Sequence, residues 1–304
     1  MTQNKLKIEV QSEIGKLNAV LLHRPGAEVE NMTPNNVQRA LYSDILNLPV
    51  AQTEYEQLYG VLSKVAKVHE VRSLLVNVLD QFKPRADLIR RICETEDVMA
   101  YYEELMMMKS PDLARVLIEG LPARINTLTS YLKNEYYALY PLYNFYFTRD
   151  AAVTIGNTAL ICRMANKVRM RESFIMDAIY RTSGVFDCSV VDANHLQPET
   201  SQVIMEGGDI IVAREDILII GNGVRTTPQG IDFTDHRYHR YLFQYLVSLH
   251  QQADPSYRTF SSSNIALLCS DRLRSFLRRF KLIKRKMNTL PSGWMGGCFF
   301  MNKW

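Results

Sequence analysis

Apolar and polar positions alternate where the chain begins. In Lys5-Leu6-Lys7-Ile8-Glu9-Val10 the apolar side chains fall on every second position, the period of a half-buried strand. A second strand follows from Leu17 to His23, built on the apolar run Ala19-Val20-Leu21-Leu22, with a turn between the two at Ser12 to Gly15. Arg24-Pro25-Gly26 breaks into a loop. Asn36 to Leu48 and Gln52 to Val65 carry helical spacing, and Val68 to Val71 reads as a short strand. From residue 74 to 137 strand signals vanish and amphipathic helices succeed one another, an all-helical insertion. Its sharpest boundary is Ser110-Pro111, an N-cap followed by proline at the first helical position; Gly120 stops that helix, and Leu113, Val116 and Leu117 share its apolar face. The cluster Met106-Met107-Met108 reads as core packing or as a pliable binding surface.

Alternation returns at residue 138. Ala151 to Ile155 and Ala159 to Arg163 flank Gly156-Asn157, a hairpin signal. Val168 to Tyr180 is an amphipathic helix. Ser189 to Val191, Val203 to Met205, Asp209 to Ala213 and Ile217 to Ile220 read as strands joined by short turns. Residues 138–220 therefore run strand, strand, helix, strand, strand, strand, a mixed α/β unit.

Charge divides the chain where this pattern ends. Residues 1–232 hold 24 Lys and Arg against 29 Asp and Glu, net −5; residues 233–304 hold 12 against 3, net +9, with no Glu. Both tryptophans, Trp294 and Trp304, lie in the basic part. Such a tail suits nucleic acid or a membrane surface, or it is an out-of-frame translation of a disrupted gene. Elsewhere the composition, 47% hydrophobic and 22% charged over 304 residues, is that of a globular protein long enough for a large core. No apolar h-region follows Met1 to Lys5 and no stretch of about 18 apolar residues occurs. A cytoplasmic protein without a membrane span is expected. The cysteines Cys93, Cys162, Cys188, Cys269 and Cys298 form no CxxC pair, so reduced thiols are expected and no metal site.

Two short segments carry candidate chemistry. Glu206-Gly207-Gly208-Asp209 presents acids at a double-glycine turn, where diglycine permits positive φ and close ligand approach. The plainer account is a hairpin turn with solvated acids. Phe147-Thr148-Arg149-Asp150 stands at the lip of an aromatic run, Tyr136, Tyr137, Tyr140, Tyr143, Phe145 and Tyr146. Within that strip the polar Asn144 and Asp150 either bond to backbone or face a ligand. Paired carboxylates on short loops suit a planar cation such as a guanidinium. Arg225, on a glycine-bearing loop after a buried strand, is placed to clamp a carboxylate or is a surface arginine. Arg169 and Arg171 open a helix after Lys167, where such residues are mostly solvated.

Together these segments resemble the arginine deiminases of the guanidine-modifying, or pentein, superfamily. The resemblance runs from about Ser12 to about Ile231. It includes Ser12-Glu13-Ile14-Gly15-Lys16-Leu17, His23-Arg24-Pro25-Gly26, Met32-Thr33-Pro34-Asn35-Asn36 and Leu41-Tyr42-Ser43-Asp44. It continues through the helical insertion, Asn144 with Phe147 to Asp150, Arg169-Met170-Arg171-Glu172, Glu206 to Asp209, and Arg225-Thr226. It implies an α/β fold, a five-bladed α/β propeller around a central site, here incomplete. Residues 1–73 and 138–232 would be blades, 74–137 the insertion, and 233–304 a tail outside the family pattern. The implied reaction is hydrolysis of L-arginine to L-citrulline and ammonia without a cofactor. By the resemblance, Asp150 and Glu206 grip the guanidinium, while Asn144, Arg169 and Arg225 hold the amino-acid end, with Arg171 the alternative to Arg169. Family members are commonly homo-oligomeric.

The resemblance also implies a cysteine thiolate that attacks the guanidinium carbon and a histidine that moves protons. In the family the histidine lies in a His-Leu-Asp motif, and no such motif follows Arg225 here. His236, His239 and His250 stand in other contexts. Gly296-Gly297-Cys298 resembles the family's terminal cysteine loop in those three residues but not in its flanks, Trp294-Met295 and Phe299-Phe300-Met301, so Cys298 is the candidate nucleophile. The expected state is a truncated or frameshifted, inactive member. The rival readings are another pentein, such as an amidinotransferase or a dimethylarginine hydrolase, and a nucleic-acid-binding protein using the basic residues of 272–286.

Overall fold

The computed structural model describes residues 5–32, 41–42, 45–124, 136–195 and 202–234, with the backbone alone at 235–238, 246–250 and 265–267. The opening alternation yields only a two-residue strand, β1 (Leu6–Lys7), parallel to Phe186–Asp187, after which Val10 bridges to Gly156. The apolar run gives β2 (Ala19–Leu22). Past the Arg24-Pro25-Gly26 loop comes a single helical turn, α1 (Ala27–Glu30), too short to leave a periodic signal. The helix expected at Asn36 to Leu48 falls mostly outside the described residues, and its described part, up to residue 47, is not helical. α2 (Leu48–Val65) begins instead at Asn47, whose side chain accepts from the Val50 amide. β3 (Lys67–Glu70) then pairs in parallel with β2.

Helices fill the next stretch: α3 (Val71–Leu79), α4 (Phe82–Thr95), α5 (Tyr102–Met107) and α6 (Ser110–Glu119). Lys109, not Ser110, is the N-cap of α6; Ser110 makes no capping bond and already lies inside the helix. Gly120 ends it at φ 100°, and a Cβ there would crowd the Leu139 carbonyl at 2.9 Å. Met106 and Met108 pack at the edge of the core, whereas Met107 is exposed. The helical stretch yields to β4 (Leu121–Pro122), paired with β5 (Tyr137–Leu139).

After a four-residue helix α7 (Thr148–Ala151), β6 (Ala152–Ile155) and β7 (Thr158–Ile161) form the antiparallel hairpin expected at Gly156-Asn157. α8 (Met170–Thr182), β8 (Phe186–Asp187) and β9 (Ser189–Asp192) follow, and β9 runs parallel to β7. The strand expected at Val203 to Met205 is extended chain without a ladder. Its hydrogen bonds go to two neighbours: the Met205 amide donates to the Arg163 carbonyl, and the Ile204 carbonyl accepts from the Thr227 amide. β10 (Ile210–Arg214) and β11 (Ile217–Asn222) pair antiparallel, and α9 (Pro228–Tyr238) packs Ile231 and Thr234 inward.

Two stretches of the basic part join this sheet. β12 (Leu246–His250) runs parallel to β11, and β13 (Ile265–Leu267) pairs with β12. There β12 adds to the edge of β11, and strand addition satisfies the backbone groups of that edge.

The β6–β7 hairpin separates two cores. Ala152, Ala159 and Ile161 face one that also holds Leu75, Ile92, Leu117, Phe145 and Ile175, so the helices of 71–119 share a core with the strands. Val153, Ile155 and Leu160 face the other, with Met205, Ile210, Val212 and Ile220. Each fully buried Leu, Ile or Phe contributes about 1.5–3 kcal/mol. Among the described residues no helix is long and apolar enough to cross a membrane.

Candidate functional site

Chain segments entering β6, β10 and α8 converge at the seam between the two cores. Asp150 lies in the short turn of α7 that feeds β6, and Glu206 ends the extended segment before β10. Arg169 closes a helical turn before α8, a turn begun by Asn166, whose side chain accepts from the Val168 amide. Its guanidinium is 3% exposed and fully engaged. Nε and Nη2 fork onto Glu172, Nη1 donates to Asp150 Oδ2 at 2.8 Å, and Nη2 reaches the Asn144 carbonyl at 3.4 Å.

Glu206 stands across the same guanidinium. Its Oε1 accepts from the Ala165 amide at 3.4 Å, and its Oε2 is 3.7 Å from Arg169 Nη1 and 3.8 Å from Arg225 Nη1. Neither arginine distance is a hydrogen bond, and among the described residues the buried Glu206 Oε2 has no hydrogen-bond donor. Such an atom has lost water and regains only part of that cost from charges at this distance. Burial accordingly pushes Glu206 above the usual carboxylate range, against the opposing pull of Arg169 and Arg225. Burial raises Glu172 and Asp209 as well. Arg169 is pressed down by burial, but Glu172 and Asp150 outweigh that and hold it charged. The carboxylates of Asp150, Glu172, Glu206 and Asp209 thus outnumber the two guanidinium groups, which favours a cationic ligand.

The double glycine corrects one expectation. Gly207 and Gly208 form a 3-10 turn rather than a hairpin turn, and neither has positive φ. They are glycine because of proximity. A Cβ on Gly207 would stand closer than 3.0 Å to the Arg149 carbonyl, and one on Gly208 closer than 3.0 Å to Asp150 Oδ1. The absent side chains let the two acidic segments touch.

Asn144 is buried and takes part through its carbonyl; Arg225 is more than half exposed at the mouth. Arg171 points elsewhere, into Glu96 and the carbonyls of Leu117 and Tyr140, so of the two arginines on this segment Arg169 is the one that shares the site. Cys298, like His239, lies outside the described residues, as do the side chains of His236 and His250. Cys162 is fully buried beside the two acids, and burial followed by Asp150 and Glu206 pushes its thiol far up, leaving it a protonated filler.

Several supporting residues escaped the sequence reading. Glu172 sits three residues after Arg169, a spacing that could have flagged the pair. Thr226 is wholly buried, donates to Asp209 Oδ2 at 2.7 Å and accepts from the Glu206 amide at 3.2 Å. His23, from His23-Arg24-Pro25-Gly26, pairs with buried Glu28 at 3.0 Å, and its ring packs tilted against Phe145 with centroids 5.1 Å apart.

Comparison with known proteins gives the family of the chain. The family model described as "Arginine deiminase" matches residues 38–234. The arginine deiminase of Pediococcus pentosaceus is 34% identical over 242 residues, which cover 74% of this chain and 58% of that protein. The arginine deiminase of Bacillus cytotoxicus is 32% identical over 248 residues, 75% of this chain and again 58% of its own length. The chain therefore spans somewhat more than half the length of the curated relatives it matches. Among solved structures, a DDAH from Pseudomonas aeruginosa complexed with citrulline overlays with a TM-score of 0.42 at 14% identity, covering 78% of this chain and 63% of that one. An amidinotransferase of the saxitoxin biosynthetic pathway from Microseira wollei overlays at 0.39 and 11%, covering 79% and 62%.

Proposed function

The chain belongs to the arginine deiminase family, and from that premise we propose that it carries the guanidinium-binding half of an arginine deiminase site. The observation that carries this reading is Glu206 Oε2, a buried carboxylate oxygen without a hydrogen-bond donor among the described residues, on the side of the Arg169 guanidinium opposed to Asp150. The ligand is L-arginine. Asp150 and Glu206 take its guanidinium, and Arg225, exposed at the mouth, takes its carboxylate. Arg169 and the Asn144 segment line the site, Arg169 fixing the Asp150 carboxylate through its Glu172-anchored fork. In this reading residues 1–73 and 138–232 are blades of an incomplete five-bladed α/β propeller, and 74–137 is its helical insertion.

The family's reaction needs more than this grip. A thiolate attacks the guanidinium carbon, ammonia departs, and water releases citrulline from the thioether. Two carboxylates hold the group planar and aimed, but they supply neither nucleophile nor proton shuttle. The sequence after Arg225 has no His-Leu-Asp, and Cys298 lacks the flanks of the family's cysteine loop. We therefore infer that the chain as written binds L-arginine and does not turn it over, since catalytic groups that act as a unit lose nearly everything together.

Calorimetric titration with L-arginine and a citrulline assay test both halves. Binding is expected in the native chain. Glu206→Gln should weaken it by about 10- to 100-fold, the loss of one charge-assisted hydrogen bond. Absence of binding would remove the reading. Citrulline formation abolished by Cys298→Ser would show that the C-terminal part supplies a working nucleophile.

A further inference from the structure

Three motifs far apart in sequence meet behind the acidic pair. Arg149, the residue before Asp150, does not face the site. Its Nε donates to the Gly207 carbonyl at 3.1 Å and its Nη2 to the Ile210 carbonyl at 2.7 Å, so one guanidinium holds both ends of the Gly207–Asp209 turn that follows Glu206. The same Nη2 is paired with Glu13 Oε1, from the N-terminal Ser12-Glu13-Ile14-Gly15. Glu13 is itself held to β10: its Oε1 accepts from the Val212 amide at 3.0 Å, and its own amide donates to the Val212 carbonyl at 3.0 Å. Both partners are largely covered, with side-chain exposures of 29% for Arg149 and 14% for Glu13.

We propose that Glu13 and Arg149 are a positioning pair that sets the spacing of Asp150 and Glu206, and so tunes the affinity of the site without touching its ligand. The proposal rests on the guanidinium-binding reading above. Arg149 is covalently joined to Asp150, while its side chain grips the turn that carries Glu206. Glu13 fixes where that side chain stands by tying it to β10. Gly207 lies hard against the Arg149 carbonyl, so backbone contact and side-chain fork act on the same two segments. Removing Glu13 leaves the Arg149 fork held by the Gly207 and Ile210 carbonyls alone, and the separation of the two carboxylates is less tightly defined. Lysine at 149 keeps the charge but cannot serve three acceptors in one plane.

The test separates affinity from stability in the full chain. Glu13→Gln and Arg149→Lys are each titrated with L-arginine and melted. Lys7→Ala, which breaks only an exposed ion pair with Glu9 on the same N-terminal segment, serves as the reference. Both site variants should bind about tenfold more weakly, because small misplacements of a binding group cost up to ~100-fold. Their melting temperatures should stay near that of the native chain, and the double variant should be no weaker than either single. Native affinity in both variants, affinity that falls only as far as stability falls, or an equal loss in Lys7→Ala would overturn the proposal. Amide exchange gives a readout without ligand: Glu13→Gln should speed exchange of the amides from Gly208 to Val212, and unchanged exchange there would also overturn it. If the native chain binds no L-arginine, the functional reading fails, and amide exchange alone decides the positioning pair.

Discussion

Alanine placed at Gly208 tests the site more sharply than removing an acid, because its neighbour Gly207 supplies the contrast. A Cβ at 208 would meet Asp150 Oδ1 inside 3.0 Å and stand 3.6 Å from its Cγ; among the described residues, chain neighbours aside, these are the atoms it meets within 4 Å. The strain therefore falls on one carboxylate, which must give way by about 1 Å to reach ordinary contact. The Arg169 Nη1 to Asp150 Oδ2 bond of 2.8 Å then stretches beyond about 3.2 Å, the limit of a good hydrogen bond. A carboxylate so displaced also misses the L-arginine guanidinium, and losing that charge-assisted bond, at about 1.5–3 kcal/mol, appears as a roughly 10- to 100-fold weaker affinity. A Cβ at 207 instead meets the Arg149 backbone carbonyl and, at 3.1 Å, Val153 Cβ, neither of which is the end of a flexible side chain. That strain is an overpacking of about 1–3 kcal/mol or more in the fold itself. Gly207→Ala should lower the melting temperature by several degrees, and Gly208→Ala should lower it less, while its L-arginine affinity falls out of proportion to its stability. Calorimetry and thermal melts on the two variants suffice. Native affinity in Gly208→Ala, or two variants indistinguishable in both assays, would refute the account of why these residues are glycine.

Two further outcomes follow from buried charges. Burial raises the folded pKa of Glu206, so its contribution to stability is full below the unfolded carboxylate range, near pH 4, and is lost as pH rises through the folded value. Glu206→Gln should therefore gain stability relative to the native chain between pH 4 and pH 8, in melts across that range, even as it loses L-arginine; a gap constant with pH would contradict the assignment. Arg171→Met strands Glu96 and the carbonyls of Leu117 and Tyr140, and denaturant titration should show a loss of about 3–5 kcal/mol with L-arginine affinity unchanged for the folded fraction.

Sequence pattern was most informative where burial is periodic and local. The hairpin at Gly156-Asn157, the helix from Val168, and the strands on either side of Glu215-Asp216 all form within a residue or two of their expected ends. Pattern was least informative where backbone groups find partners outside a ladder. Val203 to Met205 has strand composition but splits its bonds between Arg163 and Thr227. The diglycine was legible as close approach, yet what approaches it was not: Arg149 and Asp150 come from another motif. Arg169 and Arg171 have the same composition around them and opposite destinations, decided by Glu172 on one side and Glu96 on the other. Glu13 and Arg149 are separated by 136 residues, so nothing in local periodicity connects them.

That separation has a consequence during synthesis. Glu13 must bond to Val212, 199 residues later, and β1 to a strand at Phe186–Asp187. At about 5–20 residues per second, the N-terminal segment leaves the ribosome roughly 10–40 s before its last partner does. For most of that wait, until Gly156 and then Phe186–Asp187 emerge, the segment Leu6 to Val10 has no strand to join. Closing so long a loop is also the slowest class of contact to form. A nascent chain stalled before residue 212 would therefore be the form most in need of a chaperone, and the acidic pair would be assembled only in the last act of folding.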